Sequence, residues 1–188
     1  MGARPVRSRA RSGTGAAARV RPAWDAYYLD IARAVSTRSN CRRRAVGALI
    51  VVDKAIISTG YNGTPIGVRN CTDGGCPRCL SDAPPGAGYD TCLCVHAEQN
   101  AFLMAARHGN VTDRGVLYTT LRPCFGCAKE AIQAGIREIV FAEPYAYAPE
   151  LERHYRRLIR ESGLGFRRVR GARRVAAAAR SAVPRRRL

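Results

Sequence analysis

The chain has 188 residues and a formal net charge of +18, from 32 Lys and Arg against 14 Asp and Glu. That length suits one domain with appendages. No apolar run approaches the ~20 residues of a membrane span, and the Arg-bearing N-terminus lacks the apolar stretch of a secretory signal, although an acid-free leader with Arg and Ser also suits an organelle transit peptide. The charge is uneven, with six Arg and no acid in residues 1–22 and seven Arg and no acid in residues 170–188, which leaves +5 on residues 23–169. Two such basic tails suit contact with nucleic acid or solvated ends too polar to fold. Lys54 and Lys129 are the only lysines, and this Arg skew favours the second reading. Eight Cys without an export signal indicate a reducing compartment, and hence the cytoplasm, with thiolates on metal rather than in disulfides.

Taken in chain order, Trp24 to Arg38 reads as an amphipathic helix with Tyr28, Ile31, Ala32 and Val35 on one face. Ala45 to Val52 and Ala55 to Thr59 read as two strands of a hairpin turning at Asp53-Lys54. Residues 60–92 hold Gly, Pro, Asp and Cys without periodicity. A loop of that length inside a domain needs an organising element, and metal bound by cysteines is one.

Val95 to His108 reads as a helix closed by Gly109, apolar nearly all round and therefore expected to be buried on most sides. Val116 to Thr120 follows as a strand, Cys124 to Ala134 as a helix stopped by Gly135, and Glu138 to Ala142 as a strand. A helix from Pro149 to Ser162 and a strand from Gly165 to Val169 complete the order α-β-β-α-β-α-β-α-β. That order predicts an α/β fold, a three-layer αβα sandwich around a five-stranded mixed sheet, within residues 23–169.

The chemistry concentrates in His96-Ala97-Glu98 and Pro123-Cys124-Phe125-Gly126-Cys127. One imidazole and two thiolates leave a tetrahedral zinc with one open position, the arrangement of a catalytic site. Cys124 and Cys127, three residues apart at a predicted helix start, share one face, and the free N–H groups there favour thiolates. His96 and Glu98 would stand about 200° apart in mid-helix, so both reach one cavity only from a first turn. Glu98 is then a proton shuttle rather than a ligand. Read separately, Cys124 and Cys127 are half of a structural zinc site and His96 is a capping histidine; the joint pattern displaces both readings.

His-x-Glu with Pro-Cys-x-x-Cys is the established signature of zinc deaminases acting on cytosine or adenine. The chain resembles the deoxycytidylate (dCMP) deaminase family of the cytidine deaminase superfamily across roughly residues 24–169. The likeness extends through Arg38-Ser39-Asn40-Cys41, Gly60-Tyr61-Asn62-Gly63-Thr64-Pro65, Val95 to Ala101 and Leu117 to Leu121. It implies hydrolysis of dCMP to dUMP and ammonia for thymidylate synthesis, and a homo-oligomer regulated by dCTP and dTTP. It also implies catalytic zinc on His96, Cys124 and Cys127, with Glu98 as the shuttle. Asn62 matches an asparagine that bonds the substrate sugar, and Asn-Gly equally suits a simple turn.

Some members of the family hold a second, structural zinc between the end of the first helix and the loop. Cys41, Cys71, Cys76 and Cys92 are the expected set, Cys79 and Cys94 are substitutes, and free buried thiols are the alternative. Arg122 is placed either to hold a 5′-phosphate or to sit exposed on the rim. A deaminase acting on a base in single-stranded DNA or tRNA, and a non-catalytic nucleotide-binding zinc protein, are the competing readings. Glu98 argues against the latter.

Overall fold

A computed structural model describes residues 21–84 and 87–170. The tails expected at 1–22 and 170–188 therefore lie, but for residues 21, 22 and 170, outside the described residues. Five helices or helical turns of α type, here α1 (Trp24–Ser36), α2 (Pro77–Leu80), α3 (Ala97–Arg107), α4 (Phe125–Gln133) and α5 (Pro149–Ser162), accompany five strands. The strands are β1 (Gly47–Val52), β2 (Ala55–Tyr61), β3 (Val116–Leu121), β4 (Glu138–Glu143) and β5 (Gly165–Arg168).

The strands form one sheet in the order β2-β1-β3-β4-β5. β1 is antiparallel to both β2 and β3, whereas β3, β4 and β5 run parallel. The expected mixed sheet is thus observed. Asp53 and Lys54 both adopt left-handed backbone (φ 49° and 66°), as a two-residue hairpin turn requires.

Alternate side chains of the strands enter two apolar layers, following the period of two. Leu49, Val51, Val116, Tyr118 and Val140 pack against Tyr28, Leu29 and Ala32 of α1. Ala48, Ile50, Leu117, Ile139 and Phe141 pack on the other face with Ala97, Ala101 and Ala105 of α3 and Ala131 of α4. The buried stripe of α1 is centred on Tyr28, Leu29 and Ala32, with Ile31 at its margin.

One expectation for α3 is corrected. Its buried face is Ala97, Glu98, Ala101 and Ala105, while Leu103 is 60% and Met104 38% exposed. Small side chains let the helix lie close on the sheet, and the closest approach is at Gly60 of β2. A Cβ there would run into the Ala97 carbonyl oxygen and the Ala101 nitrogen. The missing side chain at Gly60 therefore sets the depth at which α3 begins, one residue after His96.

The segment between β2 and α3 is organised by short turns at Cys71–Asp73, Pro77–Leu80 and Tyr89–Thr91. Val95 pairs with Gly63 in an isolated bridge that returns the chain to the sheet. All six cysteines outside the 124/127 pair collect in one cluster beneath this segment.

Candidate active site

Two helix starts meet at the site. His96 is the N-cap of α3, and its backbone N–H donates to the Gln99 side-chain oxygen at 3.0 Å. Cys124 is the N-cap of α4, where its sulfur accepts from the Cys127 N–H at 3.4 Å. Gln99 also donates to Glu130 at 2.9 Å, tying α3 to α4. Pro123 is fully buried, and its carbonyl oxygen accepts from the Tyr155 hydroxyl at 3.1 Å. Phe125 N–H donates to the Tyr147 hydroxyl at 2.9 Å. The α4 entrance is therefore fixed by Tyr147 and Tyr155, and the α3 entrance by its own Gln99, which Glu130 of α4 holds in turn.

His96 Nδ1 lies 3.4 Å from Cys124 Sγ and 3.4 Å from Cys127 Sγ. A tetrahedral zinc with Zn–N and Zn–S bonds of ~2.0 and ~2.3 Å separates such donors by about 3.5 Å. The three side chains thus fit a zinc ion by distance and by ligand type. The Tyr89 ring meets the His96 ring edge-on at 5.8 Å and helps to orient it.

Glu98 is 4% exposed and sits in the first turn of α3, in the same cavity as His96 and Cys124. Thr119 Oγ1 lies 3.4 Å from Glu98 Oε1 and 3.1 Å from the Leu121 carbonyl oxygen. Burial pushes the Glu98 carboxyl up to about 7, against the opposing pull of its own backbone N–H and of His96. The Cys127 hydrogen bond and the His96 imidazole bring the Cys124 thiol down to about 4, and that same contact with burial pushes Cys127 up. The Cys124 thiolate in turn raises His96.

The cavity encloses about 300 Å³, and its wall includes Asn62, Arg44, Tyr89 and Tyr145. Asn62 Oδ1 accepts from Val46 N–H and Ser39 Oγ, each at 2.8 Å, and Nδ2 donates to the Arg44 carbonyl at 2.8 Å. The side chain is therefore both a cavity residue and a clasp between the end of β2 and the segment before β1. The exposed-rim expectation for Arg122 does not hold. Its side chain is 11% exposed, bonds Glu152 through two nitrogens at 2.9 and 3.1 Å, and lines the cavity that holds Glu98.

The expected structural-zinc set of Cys41, Cys71, Cys76 and Cys92 is not gathered around one point. Cys41 and Cys71 group with Cys79 and Cys94, and Cys76 and Cys92 group with that same pair. Cys79 lies in the α2 turn that Cys76 caps, so its sulfur turns inward to the centre. Among the residues not singled out from sequence, Gln99 carried a signal, being three positions after a helix-opening residue. Thr119, Tyr89 and Tyr145 carried none, since tertiary packing alone brings them to the cavity.

Fold and site together are those of the zinc-binding deaminase family. The model of the cytidine and deoxycytidylate deaminase zinc-binding region matches residues 22–143, and the chain belongs to that family. It is 42% identical over 149 residues to the deoxycytidylate deaminase of Schizosaccharomyces pombe, covering 79% of this chain and 45% of the relative. It is 44% identical over 126 residues to that of Saccharomyces cerevisiae, covering 67% and 39%. The chain thus spans less than half the length of these two fungal relatives. The crystal structure of cyanophage S-TIM5 dCMP deaminase with dCMP and dUMP superposes with a TM-score of 0.62 at 27% identity, covering 80% of this chain and all of that one.

Among the described residues no helix is long and apolar enough to cross a membrane.

Proposed function

We propose that the protein hydrolyses dCMP to dUMP and ammonia. The observation that carries this reading is the burial of Glu98 in one cavity with His96 and Cys124, beside three donors spaced for zinc. His96, Cys124 and Cys127 would hold the ion, which supplies a Lewis acid that makes water a nucleophile near neutral pH.

Glu98 Oε takes a proton from the attacking water and passes it to the ring nitrogen of cytosine. A C–O bond forms at C4, the carbon that carried the amine, and Glu98 returns the second water proton to the departing nitrogen. The C4–N bond breaks and ammonia leaves, so atoms and protons balance. Thr119, 3.4 Å from Glu98 Oε1, positions the carboxyl. Asn62 has a second N–H to offer the sugar, and the Arg44 side chain at the cavity rim offers a cation to the 5′-phosphate.

Kinship extends the proposal to the cytoplasm, to a homo-oligomer and to control by dCTP and dTTP, and to structural zinc on the loop cysteines. An ultraviolet assay comparing dCMP, CMP, deoxycytidine and a short single-stranded oligonucleotide tests the substrate. Preference for dCMP supports the reading, and preference for the oligonucleotide favours a nucleic-acid deaminase.

A further inference from the structure

The six remaining cysteines fall into two overlapping sets of four rather than one set with two bystanders. Cys79 Sγ lies 4.0 Å from Cys41 Sγ, 3.9 Å from Cys92 Sγ and 4.0 Å from Cys94 Sγ, and Cys76 Sγ lies 3.9 Å from Cys92 Sγ. Two thiolates on one tetrahedral zinc stand about 3.8 Å apart, given Zn–S bonds of ~2.3 Å. A disulfide would bring two sulfurs to ~2.05 Å, and all six cysteines are free. The sulfurs divide into two sets of four, each spanning no more than 4.8 Å, and the sets have Cys79 and Cys94 in common.

Two tetrahedra that share an edge need six vertices, two of them held jointly. We propose that the loop binds two zinc ions in a binuclear thiolate cluster, with Cys41 and Cys71 terminal on one ion, Cys76 and Cys92 terminal on the other, and Cys79 and Cys94 bridging both. One ion in either set would leave two cysteines of the other set against it without metal. Two ions use every sulfur, and four positive charges against six thiolates leave the same net charge of −2 as a single four-thiolate zinc.

The surroundings agree with that arrangement. Cys79 Sγ has three other sulfurs within 4.0 Å, and Cys79 and Cys94 are the pair common to both sets. Cys71 Sγ accepts from the Arg42 N–H at 3.3 Å.

The cluster would join the end of α1, the long loop and the strand-like entry to α3, because Cys94 lies two residues before His96. Four of its cysteines, Cys41, Cys79, Cys92 and Cys94, also line the cavity that holds Glu98. It would thereby set one wall of the site without taking part in proton transfer, and the proposal is independent of which base or nucleotide reacts there.

Native mass spectrometry of the intact, zinc-replete protein should find close to three zinc ions per chain, and X-ray absorption at the zinc edge should show a zinc–zinc vector of about 3 Å, as two ions sharing sulfurs at ~2.3 Å require. Cadmium-113 substitution should give two thiolate-bound resonances coupled to each other. Cys127→Ala should lower the zinc count by one and keep the zinc–zinc vector, which separates this cluster from the site at His96. A count of two zinc ions in the wild type, three without a metal–metal vector, or iron with acid-labile sulfide would each overturn the proposal.

Discussion

The Arg122 guanidinium holds both carboxylate oxygens of Glu152, joining the end of β3 to the first turns of α5 just before Pro123 and Cys124. The same guanidinium lies over the Tyr155 ring at 4.2 Å. This pair braces the turn that carries Pro123 and Cys124, while Arg122 also lines the cavity that holds Glu98.

Glu152 gives the first prediction. The Arg122 bond holds its carboxyl below the usual value despite burial, so its stabilising contribution is present above the unfolded-state value near ~4.3 and is lost as pH falls through the lower folded value. At neutral pH, Glu152→Gln should cost roughly 3 kcal/mol in urea unfolding, because it strands a largely buried guanidinium. The difference between the two proteins should close as the pH drops below about 4. An unchanged gap at low pH would show that the charge is not what matters.

Gly60 gives the second. Gly60→Ala forces a methyl group into the backbone of α3 and should destabilise the fold by about 1–3 kcal/mol. The displacement falls at the first turn that carries Glu98, so turnover should drop by up to ~10²-fold in the folded fraction. A variant as stable and as active as the parent would mean that α3 has room to shift without consequence.

Asn62→Ala should leave the buried Val46 N–H without its acceptor and cost about 1–3 kcal/mol. If Asn62 also binds the sugar, KM for dCMP should rise as well. A stability loss with unaltered kinetics would confine the residue to its clasp role, and no stability loss would contradict the hydrogen-bonding account.

Much of the candidate site is legible in the sequence because local rules place it. A helix can open at His96 and at Cys124, and helix geometry then sets Cys127 beside Cys124 and lets Glu98 reach the cavity that His96 and Cys124 line. The unbroken apolar run through Leu49, Ile50 and Val51 likewise reveals a strand covered on both faces. The grouping of the loop cysteines is a different matter. Spacing ties Cys76 to Cys79, but which sulfur stands at the centre depends on how residues 60–92 fold over the end of α1. The partner of Arg122 is thirty positions away, beyond any local rule, and the exposed Leu103 and Met104 show that apolar composition does not decide which side of a helix faces the sheet.

Deleting residues 1–20 and 171–188 should leave dCMP turnover largely intact, since the described residues contain the complete candidate site. Steep salt dependence of binding to single-stranded DNA, lost together with those segments, would instead assign them a nucleic-acid role. Loss of dCMP turnover on deletion would place them in the site or its assembly.

The central claim is that Glu98 moves protons beside a zinc held by His96, Cys124 and Cys127. The most direct measurement is turnover of dCMP by Glu98→Gln, taken together with its zinc content. Zinc at the wild-type level with activity reduced by ~10²–10⁴-fold is the expected result. Zinc-loaded Glu98→Gln that deaminates dCMP at close to the wild-type rate would contradict it.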